Sequence, residues 1–251
     1  MHPPINLEER FPHLSKAPIV EAVLDVRVLL SRLWDESSLQ NKLKQRLLDY
    51  PKHETIEETK FQFSPEKMSS VVRDPVPVGL KCSSDDNPNI VQFNKNSFVF
   101  SRLEPYEDWG KFREEALRLW EVYCELLQPS EITRIGLRFI NRITVKQQSI
   151  DLADYYKSPP QFIEGLNWSL AGYLYQDTRR VPDTHYFVNV VRTTVQGDVE
   201  ENGLLLDIDV FIQDSFSYDK LRVCKYVEEM HWVKNKVFFG SLTEKFIEEC
   251  K

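Results

Sequence analysis

The stretch RIGLRFINRI, Arg134 to Ile143, alternates with a period of two. Ile135, Leu137, Phe139 and Ile143 fall on one side with Asn141 among them, and Arg134, Arg138 and Arg142 fall on the other. Side chains of a strand point to opposite faces in turn, and β-branched and aromatic residues fit a pleated surface, so the stretch reads as a half-buried strand. Its arginines are about 13 Å apart at ordinary strand rise.

Matching acids lie on two other alternating stretches. APIVEAVLDVRVLL (Ala17 to Leu30) places Ala22, Leu24, Val26 and Val28 on one face and Glu21, Asp25 and Arg27 on the other. GLLLDIDVFIQ places Asp207 and Asp209 opposite Leu204, Leu206, Ile208, Val210 and Ile212. Arginine's planar fork suits carboxylates, so the leading expectation is a ladder of cross-strand ion pairs. Two alternatives stand beside it. One is an anion site built from spare arginines. The other is a divalent-metal site at Glu21, Asp25, Asp207 and Asp209, against which the neighbouring arginines would compete.

The remaining pattern sets the fold class. DESSLQNKLKQRLLDY reads as a helix capped by Asp35, with Leu39, Leu43 and Leu47 on one face. Short strands follow at TKFQFS, VPVGLKCS, NIVQF and SFVFSRL, the last two joined by an Asn94–Asn96 turn. DWGKFREEALRLWEVYCELLQP is the clearest helix, with Trp109 and Trp120 on its apolar face. After RIGLRFINRI, short helices are expected at IDLADYY and around Ile163 to Leu170. The strands HYFVNVVRTTV and GLLLDIDVFIQ follow, then a helix from Lys220 to Phe238. Gly240 and a capping box at Ser241-x-x-Glu244 open a last short helix. This order predicts an α+β fold: a twisted antiparallel sheet with long helices packed on one face. Residues 1–16 read as an N-terminal arm and residues 17–251 as one domain. The order suggests a tandem strand-helix-strands-helix unit with halves 17–130 and 131–251.

Composition narrows the function. The 251 residues are 41% hydrophobic with 12% aromatics, enough for a core without disulfides or metals. Net charge is -7, whereas a general nucleic-acid binder needs a basic surface, so nucleic acid is not the favoured partner. The 8 glycines form no phosphate loop or dinucleotide fingerprint, and the five histidines show no zinc spacing. No nucleophile elbow is present. No catalytic residue, cofactor or metal site is therefore assigned. Cys82, Cys124, Cys224 and Cys250 have no C-x-x-C spacing and read as reduced core residues. Neither a leader peptide nor an apolar run of membrane length is visible, so the expectation is a cytoplasmic protein with no membrane partner.

APIVEAVLDVRV, PY-x-x-W at Pro105 to Trp109, RIGLRFINRI, LLLDIDVF and the closing SLTEKF together resemble a sporadically distributed bacterial family of about this length with no assigned activity. Such scattered distribution is typical of mobile or defence loci, including toxin–antitoxin and CRISPR-associated ones. The resemblance therefore implies an accessory or regulatory subunit whose partner is a protein encoded by a neighbouring gene. It supplies no catalytic residues. The alternative is a metal-dependent enzyme acting on a phosphorylated or nucleic-acid substrate through the four acids.

One segment looks suited to partner contact. Arg179 and Arg180 lie among Tyr173, Tyr175 and Tyr186, and Pro182 with Asp183 predicts a turn. Arginine and tyrosine are enriched at interface hot spots. The stretch from Tyr173 to Tyr186 is therefore expected to be an exposed, partner-binding loop.

Overall fold

The computed structural model describes residues 5–31, 34–59, 61–64, 69–72, 74–85, 88–145, 150–159, 165, 168, 170–196 and 202–251. The strands are β1 (Ile19–Leu30), β2 (Lys52–Glu58), β3 (Phe61–Ser64), β4 (Ser69–Val72), β5 (Val76–Ser83), β6 (Asn89–Asn94), β7 (Ser97–Leu103), β8 (Pro129–Val145), β9 (Leu174–Arg180), β10 (Phe187–Gln196) and β11 (Asn202–Ile212). The helices are α1 (Glu36–Arg46), α2 (Trp109–Leu127), α3 (Lys220–Ser241) and α4 (Glu244–Glu249). Nine strands form one antiparallel sheet in the order β2-β5-β6-β7-β1-β8-β11-β10-β9, and β3 and β4 pair separately. The α+β class with helices on one face is thus the observed architecture.

RIGLRFINRI lies in the longest strand, β8, at the middle of that sheet. Its register on β1 sets Phe139 against Ala22, Leu137 against Leu24 and Ile135 against Val26, all buried. Outward from this pair, both sides follow one scheme: β7 or β11, then β6 or β10, then β5 or β9. In each case the strand next to the central pair leads into a long helix. α2 packs on β7 and β1, and α3 on β11 and β8.

Helix-side packing is aromatic. α2 buries Phe112, Trp120 and Tyr123, which meet Phe93, Phe98 and Phe100 of the sheet at centroid distances between 5.3 and 6.0 Å. Fully burying one such ring is worth about 2–3 kcal/mol, so these contacts contribute substantially to the core. Asp35 and Asp108 cap α1 and α2 by accepting from Ser38 N and Lys111 N. The four cysteines are free.

Several boundaries differ from the sequence reading. α3 continues through Gly240 to Ser241, and the last helix is capped by Thr243, whose hydroxyl accepts from Phe246 N. IDLADYY forms only a single 3-10 turn, Leu152–Asp154, because Tyr156 then bridges to Leu242. The helix expected around Ile163 to Leu170 lies mostly outside the described residues. The strands β2, β4 and β9 go beyond those read from the sequence.

Within the arm, residues 5–16 lie against the domain. Phe11 stacks on Phe239 at 5.5 Å, and Glu9 accepts from Trp232 Nε1 at 2.9 Å and Lys236 Nζ at 2.7 Å. Lys16 N donates to the Cys250 carbonyl at 2.9 Å.

Candidate functional site

The charged side chains of β1, β8 and β11 meet on the sheet face away from the helices. Arg134 donates to Asp25 on one side and to Asp209, at 2.7 Å, on the other. Arg138 grips Asp207 with two bonds, from Nε at 2.8 Å and Nη2 at 2.6 Å. Gly136 explains how Arg134 reaches both acids. Its register partners are Asp25 and Phe211, and the guanidinium lies across it. A Cβ at that position would stand 2.3 Å from Arg134 Nη1. The same guanidinium sits 5.0 Å from the Phe211 ring centroid.

Arg134, only 11% exposed, is therefore the centre of the ladder, whereas Arg138 is about half exposed at 48%. Burial raises the carboxyl pKa values of Asp25 and Asp209 despite the guanidinium between them. Desolvation thus outweighs the attraction, so the pair adds little net stability while removing one partner is costly. Glu21 and Arg142 share the face but make no ion pair with any described residue. Among the described residues no group of three acids, histidines or cysteines is placed to hold a metal ion.

The Tyr173–Tyr186 segment differs from the loop reading. Residues Leu174 to Arg180 are strand β9, paired to β10 along one edge and standing last in the sheet. The turn falls where Pro182 and Asp183 predicted it, with Asp183 left-handed at φ 57°. Strand geometry also separates the two arginines. Arg179 faces the helix side with Tyr175 and Asp177, and Arg180 faces the open side with Gln176 and Thr178. Arg179 donates to Asp177 and stays 76% exposed; no ion pair involves Arg180 among the described residues. Tyr186 is buried and donates to Glu229, so it is part of the core and unavailable to a partner. Tyr173 is half-buried.

Beside β9, the end of the sheet and α3 enclose a groove of about 770 Å³. Val188, Val190, Val233 and Val237 supply apolar lining, and the charged lining is Arg179, Arg180, Arg192 and Lys236 with the acid Asp177. Trp168, Leu174 and Tyr175 are large exposed apolar residues close by in sequence. The opposite edge of the sheet is different in kind. β2 presents exposed Glu54, Glu57 and Glu58, the charged blunting expected of an edge that must not pair.

Fold and site together define an antiparallel sheet backed by helices, with Arg134 and Arg138 paired to acids at its centre and a mainly cationic, partly apolar groove at one edge. No protein-family profile, curated protein or solved structure matches the chain.

Proposed function

We propose that the chain is a non-enzymatic interaction or regulatory subunit that captures an extended, acidic segment of a protein partner along β9. The observation that carries this reading is the outer edge of β9, which pairs with no other strand among the described residues and lies next to a groove lined by valines and mainly basic side chains. An unpaired edge offers main-chain donors and acceptors to an added strand, while the adjoining groove selects side chains. A cationic rim on a chain of net charge -7 favours a partner with local acidic character. The setting suggested by the family resemblance, a prokaryotic defence locus, makes the product of a neighbouring gene the first partner to try. The enzyme alternative has weaker support, since Asp25, Asp207 and Asp209 already hold guanidinium groups. The test is co-expression with neighbouring gene products, followed by amide hydrogen exchange of the purified complex. Slowed exchange of the β9 amides not bonded to β10 is expected. A complex that leaves those amides unprotected excludes edge capture.

A further inference from the structure

The apolar stripe of α3 runs Val223, Val227, Met230, Lys234 and Phe238, and it includes one lysine. Lys234 is 6% exposed and points its Nζ at the Phe139 ring, 4.1 Å from the centroid. No carboxylate reaches it among the described residues. Its other ring neighbour, Phe238, is 5.9 Å away. A ring face attracts a cation by at most a few kcal/mol, well short of the hydration an ammonium loses on burial. Burial alone pushes its pKa down to about 7.

Lys234 also borders a cavity of about 460 Å³ enclosed by α3, the start of α2 and the N-terminal arm. Aromatic groups supply much of its wall: Tyr106, Trp109 and Phe238, with Ile19. His231 lies flat on Trp109 at 3.9 Å and 2°, and its Nε2 is 3.4 Å from Asn235 Nδ2. Burial and the neighbouring Lys234 hold this imidazole neutral. At the cavity's border stand Glu9, Glu107, Asp108 and Glu228, with Arg10 and His13 from the arm. Glu9 and Glu228 are held by Lys236 and Arg113, and the acid-rich border disfavours an anionic ligand. Two residues along β8 from Phe139, Asn141 is fully buried, and its side-chain oxygen has no hydrogen-bond partner among the described residues. It is in register with Ile19, which lines the cavity.

We propose that this cavity binds a small ring-bearing aldehyde or ketone, whose carbonyl carbon condenses with Nζ of Lys234. The nitrogen lone pair forms the C–N bond while the carbonyl π pair moves to oxygen. Oxygen gains the proton that nitrogen sheds, giving a carbinolamine. Loss of water then leaves a C=N bond, so amine plus carbonyl gives imine plus water with no oxidant or reductant. A desolvated lysine is suited to this chemistry, and the aromatic part of the cavity wall suits one ring. The cavity is separate from the β9 edge, and this inference does not depend on partner capture.

The test treats the full chain with benzaldehyde and sodium cyanoborohydride at pH 7 and maps modified lysines by peptide mass spectrometry. Hydride from the cyanoborohydride fixes any imine as a benzylamine. A surface lysine is neutral in only about one molecule in a thousand or fewer at this pH. Lys234 is therefore expected to be benzylated at least about tenfold faster than any other lysine. Lys234→Met should lose that adduct and keep the labelling of the rest. Labelling of Lys234 no faster than surface lysines in the folded wild-type chain, or only after denaturation, overturns the proposal, whether or not the variant folds.

Discussion

The centre and the edge of the sheet use arginine in opposite ways. At the centre, Arg134 is pinned between Asp25 and Asp209 across a glycine, and Arg138 is doubly bonded to Asp207. At the edge, among the described residues, Arg179 pairs only with the acid Asp177 of its own strand, and Arg180 has no ion pair. The same side chain is engaged in one place and available in the other. What decides between them is position in the sheet. A central strand has acids on both neighbouring strands, whereas an edge strand has only one neighbour.

This contrast can be broken by substitution. Arg134→Ala leaves Asp209 without its ion pair and Asp25 with only the exposed Arg27 at 3.8 Å, and it should destabilise the fold by about 4 kcal/mol in urea unfolding. Arg138→Ala strands one carboxylate instead of disturbing two, but that carboxylate, Asp207, is buried, so a loss of about 3 kcal/mol is expected. Equal losses would show that the ladder has no centre.

The helix-covered side of β8 holds a cation of another kind, and pH sharpens the difference. Lys234 titrates near 7 when folded and near 10.5 when unfolded. Between these values the unfolded chain binds the extra proton, so stability rises with pH. Below 7 both states are protonated and the full penalty applies. Relative to Lys234→Met, the wild-type chain should gain about 2 kcal/mol between pH 7.5 and 9. A difference that stays flat across this range would show that Lys234 remains charged in the fold.

Gly136→Ala probes the ladder with a single methyl group. The added Cβ must displace the Arg134 guanidinium, and a loss of about 1.5 kcal/mol is expected, as for overpacking. An unchanged melting temperature would mean that the arginine moves aside freely.

Centre and edge also differ in how much their sequences disclose. β1, β8 and β11 read directly as strands because one face of each is buried, and burial imposes the alternation. β2, with the sequence KHETIEE, and β9, with LYQDTRR, carry no such signature. Each has one strand neighbour and shows water most of its side chains, so no period of two is enforced. The Arg179–Arg180 pair was legible as a patch, but its division between two faces follows only from the strand. Arg134's primacy over Arg138 was not legible, because Gly136 stands two residues from each arginine and only the folded geometry shows whose guanidinium crosses it. Lys234 was signalled by its place in the α3 stripe, at the spacing of Met230 and Phe238. Tyr186 read as surface because a buried tyrosine and an exposed one look alike without knowledge of Glu229.

The most direct test of edge capture is Arg179→Ala combined with Arg180→Ala, measured for both unfolding and partner affinity. Folding should stay within about 0.5 kcal/mol of wild type, as for exposed positions. Affinity for the co-purifying partner should fall by at least about fivefold, equal to about 1 kcal/mol. A double variant that folds normally and binds its partner with undiminished affinity would contradict the assignment of β9 as the docking edge.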